Sequence, residues 1–216
     1  MIRRPPRSTP SNSSAASDVY KRQELRKVTK EVIESIIKSI TNHLNNSISW
    51  LDGNRVGELL ELLSGADRVY IVGVGKSGLV GKIFGLSLVS LGYEVYIVGE
   101  SLLPAPRATD LIFAISGTGE TDYPVKFAKV GKKTNTKVVA ITSKPNSTLG
   151  KLADLVISIP GREENQQSRK LEELTAYGEH GTLKGMLFEM ATLAFLNAVV
   201  AALARIRKNT EKEGNR

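Results

Sequence analysis

The run Arg68–Val72, rich in β-branched residues, stops at Gly73-Val74-Gly75-Lys76-Ser77-Gly78 and passes directly into the apolar-periodic segment Leu79–Leu91. A strand that turns on glycines into a helix leaves backbone N–H groups and a hydroxyl at the helix N-terminus, where the helix dipole favours an anion. The pattern recurs where Leu111–Ile115 runs into Ser116-Gly117-Thr118-Gly119-Glu120-Thr121. Two anion cradles at the ends of two strands point to a phosphorylated small molecule.

Periodicity along the rest of the chain supports the same layout. Glu24–Asn46 carries a wide helical stripe through Val28, Val32, Ile33, Ile36, Ile37, Ile40 and Leu44, and Val56–Leu63 reads as a shorter helix. Strands are expected at Arg68–Val72, Glu94–Val98, Leu111–Ile115, Lys137–Ile141 and Leu155–Ile159. Helices are expected between them at Ser77–Leu91, Asp122–Lys132 and Ser147–Ala153. Strands written as continuous apolar runs and separated by helices imply a parallel sheet covered on both faces, an α/β three-layer αβα sandwich with about five strands. Gly161–Gly181 is polar and aperiodic, the length of a lid or binding segment. The closing helix, Thr182–Arg207, is apolar on nearly every face between Met186 and Leu203, which suits a buried core helix or a subunit interface.

With 216 residues and 41% hydrophobic content, the chain fits one domain, expected over residues 24–207, followed by a polar tail at 208–216. Half of the formal charge of +8 resides in residues 1–23, where Arg3, Arg4, Arg7, Lys21 and Arg22 face only Asp18, a net +4. That Pro- and Ser-rich stretch has too few apolar residues to order itself. It lacks the apolar core of a secretory signal, and its wording resembles translated sequencing-adapter or vector sequence. A basic nucleic-acid arm is the other reading of such a stretch; no nucleic-acid partner is expected. The absence of cysteine excludes thiol chemistry, and two histidines, His43 and His180, make a metal site an unexpected feature. The longest apolar stretch, Ala191–Ala204, is interrupted by Thr192 and Asn197, so a soluble cytoplasmic protein is expected.

Gly73-x-Gly75-x-x-Gly78 also satisfies the dinucleotide fingerprint, with Glu100 about twenty residues further on at the end of the next strand. A dinucleotide enzyme has no need of the second turn at Ser116–Thr121, so no cofactor is expected. Gly75-Lys76-Ser77 echoes a P-loop, but Tyr70 stands where that motif requires its first glycine. In Ser116–Thr121 three hydroxyls alternate with Gly117 and Gly119, so backbone and side chains can donate together to a phosphate. Thr142-Ser143-x-Pro145-x-Ser147-Thr148 is a third hydroxyl-rich turn, best explained by Ser147 capping a helix.

Taken in order, Gly73–Gly78, Val98-Gly99-Glu100-Ser101, Ile115–Thr121, Ile141-Thr142-Ser143-Lys144-Pro145 and Ala153-Asp154 resemble a sugar isomerase (SIS) domain. Within that superfamily, Gly99-Glu100-Ser101 leading to Pro104, with Gly181-Thr182 and Phe188-Glu189, is most similar to the 6-phospho-3-hexuloisomerases. The resemblance covers roughly Glu24 to Arg207. It implies a five-stranded parallel sheet, a homotetramer, no cofactor, and interconversion of 3-hexulose 6-phosphate with fructose 6-phosphate; the residues alone leave the homo-oligomer open between tetramer and dimer. Two departures stand out: extra residues separate Gly181-Thr182 from Phe188-Glu189, and the C-terminal histidine usual in those enzymes is missing from Lys212–Arg216. Arabinose 5-phosphate isomerases share the Gly-Lys-Ser and Thr-Ser-x-Pro turns, but the His-Gly-Asp stretch expected after their second strand is absent.

Moving a carbonyl between adjacent carbons needs a base for the carbon-bound proton and an acid for the enediol oxygens. On the resemblance and this chemistry, Glu189 is the candidate base and His180 the candidate acid. Gly75, Ser77, Ser116, Gly117, Thr118 and Thr121 are the candidate phosphate ligands, Lys76 its counter-charge, and Glu100 a contact for sugar hydroxyls. A non-catalytic sugar-phosphate sensor would retain the same turns and would not need Glu189.

Overall fold

The computed structural model describes residues 12–161 and 183–214. Contacts divide the chain into two compact units, Met1–Ser39 and Ile40–Arg216. In the first unit the described residues belong to a single helix, α1 (Asn12–Ser47), whose C-terminal turns belong to the second unit. This helix begins at Asn12, whereas the sequence pattern places its start at Glu24 and no order before it. The Ser- and Ala-containing stretch is extended from an established helix, and adding a residue to a helix is far easier than nucleating one.

The second unit is a five-stranded parallel sheet of order β2-β1-β3-β4-β5, formed by β1 (Arg68–Gly73), β2 (Glu94–Ile97), β3 (Leu111–Ile115), β4 (Lys137–Thr142) and β5 (Leu155–Ser158). Its helices are α2 (Gly53–Gly65), α3 (Gly75–Ser90), α4 (Asp122–Thr134), α5 (Thr148–Leu152) and α6 (Leu183–Gly214), and a 3-10 turn, Ile48–Trp50, precedes α2. The expected three-layer architecture is what forms. Strand side chains alternate between two cores. Val69, Ile71, Phe113, Ile115, Val139 and Ile141 face α2, α3 and α6, while Tyr70, Val72, Ile112, Ala114 and Ala140 face α4 and α5. Along β1, β3 and β4 both faces are buried, which is why those strands read as unbroken apolar runs.

Close packing of α3 rests on small residues. A Cβ on Gly81 would lie 2.8 Å from Ile71 Cγ2, and one on Gly85 would lie 3.1 Å from Ile71 Cδ1. α6 buries Phe188, Ala191, Leu196, Val199 and Leu203 in the same core. By length and composition Met186–Asn209 could cross a membrane, with mean hydropathy 1.9. Its buried face here is a core face, which explains the same apolar run. The helix continues past Arg207 to Gly214, into the stretch expected to be a polar tail.

The order of strands decides where a ligand can sit. The direction of winding reverses between β1 and β3, and in open α/β sheets ligands occupy the crevice beyond the strand C-termini at such a switch point. The register pairs Gly73 with Ile115, so the two strands end level and their turns open side by side.

Candidate active site

The β1–α3 turn is held by backbone proximity. A Cβ on Gly78 would lie 2.8 Å from the Gly73 carbonyl oxygen, and Gly75 takes φ +59°, a left-handed conformation that favours glycine. Val74 occupies the N-cap of α3 and makes no side-chain capping bond. Lys76 is exposed. Ser77 is buried, and its hydroxyl donates to Glu189 Oε1 at 3.0 Å.

Glu189 lies in the second turn of α6 and is only 3% exposed. Two contacts bring this end of α6 to the C-terminal edge of the sheet. One is the Ser77 bond. The other is the approach of Gly161, just beyond β5, to Phe188: a Cβ on Gly161 would come within 2.5 Å of the Phe188 nitrogen. The sequence pattern treats Ser77 and Glu189 separately, one for phosphate and one for proton transfer; the fold joins them. His180 lies outside the described residues, together with the rest of the segment 162–182.

The β3–α4 turn is stitched internally. Ser116 Oγ accepts from the Gly119 N–H at 3.1 Å and lies 2.9 Å from Thr121 Oγ1. Ser116 is buried, whereas Thr118 and Thr121 are half-buried. The Gly117 carbonyl accepts from the Ser143 N–H at 3.1 Å, the Ser143 hydroxyl at 2.6 Å and the Thr142 hydroxyl at 3.4 Å. Because carbonyl and N–H point oppositely across a trans peptide, anchoring the Gly117 oxygen on β4 turns the Thr118 N–H away from β4. Thr121 N-caps α4 and makes no side-chain capping bond. Thr142 and Ser143 thus buttress the turn, a role the sequence does not signal. Ser147 does cap α5, accepting from the Gly150 N–H at 3.3 Å.

Glu120 points from the turn to α5, where its carboxylate accepts from the Thr148 N–H at 2.8 Å. Hydrogen bonding from Thr148 holds the Glu120 carboxyl below the usual range. Asp122, bonded to Lys126 at 2.6 Å, is also lowered, chiefly by that bond. Beyond β2, Glu100 pairs with Lys82 of α3 at 3.2 Å. The pair borders a cavity of about 200 Å³ whose walls include Gly73, Gly78, Val98 and Gly99. Glu100 is expected from the sequence at this end of the sheet; Lys82, hidden in an apolar helix, is not. Among the described residues no group of three or more His, Asp or Glu side chains is placed to hold a metal ion.

The model of the SIS domain matches residues 62–203, which contain the sheet, both turns and Glu189. The chain belongs to the SIS domain family. A 3-hexulose-6-phosphate isomerase of Methylomonas aminofaciens is 34% identical over 183 residues, 85% of this chain and 93% of that protein. A 3-hexulose-6-phosphate isomerase of Bacillus subtilis is 33% identical over 166 residues, 76% of this chain and 85% of that protein. A crystal structure from Methanococcus jannaschii, described as inferring a 3-hexulose-6-phosphate isomerase, superposes with TM-score 0.66 at 26% identity, covering 80% of this chain and 90% of that one.

Proposed function

We propose that this chain is a sugar-phosphate isomerase that interconverts 3-hexulose 6-phosphate and fructose 6-phosphate through an enediol. The observation that carries the reading is the buried Glu189 carboxyl group, bonded to Ser77 in the turn at the switch-point end of the sheet. The family membership and the names of the relatives support the substrate class.

Phosphate binds at Ser116–Thr121, where Thr118, Thr121 and the backbone N–H groups at the start of α4 donate to its oxygens. Ser116 acts indirectly: its oxygen accepts from the Gly119 N–H and its hydroxyl shares a hydrogen bond with that of Thr121, which holds the turn in shape for the ligand. Gly75 and Gly117 contribute backbone, and Lys76 adds positive charge at the mouth. Glu189 removes the proton from C2 of the 3-hexulose phosphate. The electron pair left behind forms the C2–C3 double bond as the C3 carbonyl oxygen takes a proton. The same carboxyl group then returns its proton to C3 while the C2 hydroxyl loses its own, leaving the carbonyl at C2. His180 is the proposed group for the oxygen-bound protons.

A homo-oligomer fits the outer face of α3, where Leu79, Ile83, Leu86 and Val89 are all exposed. Incubation with five-, six- and seven-carbon ketose phosphates, read by NMR for product and for solvent deuterium in the carbon chain, tests the reaction. Conversion restricted to the six-carbon pair supports the proposal. Binding without turnover on any ketose phosphate would replace it with the sensor reading.

A further inference from the structure

Lys82 has no role in the site as the sequence describes it, yet it lines the cavity beyond β1 and β2. It is 3.2 Å from Glu100, and both side chains are more than half exposed, 55% and 63%. An ion pair so open to water contributes little to folding, so stability does not account for placing a cation within an otherwise apolar helix face. Of the remaining lining, Gly73, Gly78 and Gly99 contribute only backbone, beside the apolar side chains of Ile71, Ile97 and Val98. Gly99 takes φ +110°, and a Cβ there would lie 3.4 Å from the hydroxyl of Tyr123 in the first turn of α4. The β2 end is thereby drawn toward the helix that follows the Ser116–Thr121 turn.

We infer that Lys82 is a specificity-determining residue that, with Glu100, binds hydroxyls of the sugar chain in this cavity. The pair offers one donor cation and one acceptor carboxylate side by side, the complement of adjacent hydroxyls, in which one oxygen accepts and the next O–H donates. Lys82 rather than Lys76 borders the cavity, so the two lysines have separate duties: Lys76 at the mouth of the phosphate turn, Lys82 on the carbon chain. The inference rests on the sugar-phosphate reading of the site.

The test compares Lys82→Met and Lys82→Arg with the wild type, using fructose 6-phosphate and inorganic phosphate as separate calorimetric probes. The expected result is a loss of roughly tenfold or more in fructose 6-phosphate affinity for Lys82→Met, no change for inorganic phosphate, and recovery in Lys82→Arg. A parallel loss for both probes would make Lys82 a phosphate counter-charge and overturn the inference. Unchanged binding of both probes would reduce the pair to a surface contact and overturn it equally. Failure of the wild type to bind fructose 6-phosphate would sink the underlying reading instead, a result distinct from any of these.

Discussion

Ser77 and Glu189, 112 positions apart in sequence, share a buried hydrogen bond of 3.0 Å that ties the turn after β1 to the last helix. The Glu189 carboxyl group is thus oriented by the same turn that begins α3, and in the proposed reaction that turn would aim the base.

The first prediction concerns that link. Glu189→Gln preserves shape and removes the basic oxygen, so turnover should fall about 10²–10⁴-fold with ligand affinity nearly unchanged. Ser77→Ala removes one hydrogen bond to a charged group and should lower kcat by roughly ten- to a hundredfold, with KM little altered. Steady-state kinetics on fructose 6-phosphate separates the outcomes. A raised KM with intact kcat in Ser77→Ala would return that hydroxyl to the phosphate.

The second prediction addresses the anion turn. Thr118→Ala and Thr121→Ala should each weaken fructose 6-phosphate binding by about 1.5–3 kcal/mol, the worth of a hydrogen bond to a charged group. Ser116→Ala should weaken it by a different route, since Ser116 holds Gly119 and Thr121 in place and is itself buried. Its signature is a larger drop in melting temperature than either threonine variant shows, since Ser116→Ala breaks the Gly119 bond as well as the Thr121 bond.

Much of this fold is legible in the residues. Val69–Val72, Leu111–Ile115 and Val138–Ile141 are continuous apolar runs because both faces of the sheet are covered, and the glycines at 73, 75, 78, 117 and 119 mark where backbone must turn tightly. The start of α1 is not legible, because Ala15 and Ala16 in a Ser-rich stretch decide nothing until a helix beyond them exists. Within the site, Ser116–Thr121 and Glu189 carry local signals; the roles of Ser143 and Lys82 do not. Ser143 acts on the Gly117 carbonyl from a different strand, and Lys82 is placed by the packing of α3, so both depend on contacts between segments that local periodicity cannot express.

Gly119 provides the third prediction. It takes φ +66°, and a Cβ there would meet Ser147 Oγ at 1.9 Å and Ser147 Cβ at 2.5 Å. Gly119→Ala should therefore displace the turn from α5 and abolish measurable sugar-phosphate binding. Adding Ser147→Gly removes both clashing atoms while leaving the left-handed strain, so binding should return in part. If Gly119→Ala alone binds fructose 6-phosphate normally, the turn does not hold the ligand in the conformation described.

The fourth prediction is a pH dependence. His43 Nε2 lies 3.1 Å from the Pro160 carbonyl oxygen, and its ring centre is 4.9 Å from that of Trp50. Burial pushes the His43 pKa below its ordinary value of 6.5, outweighing the opposing effect of the carbonyl bond. As pH falls the unfolded chain therefore takes up this proton first, and protonation favours unfolding. The stabilisation that His43 supplies is complete above about pH 6.5 and is lost as pH drops through the lower folded-state value. His43→Gln keeps a donor for Pro160 and cannot titrate, so urea midpoints measured between about pH 7.5 and about pH 5 should fall less steeply for the variant than for the wild type. Parallel profiles would show that His43 does not titrate in this window.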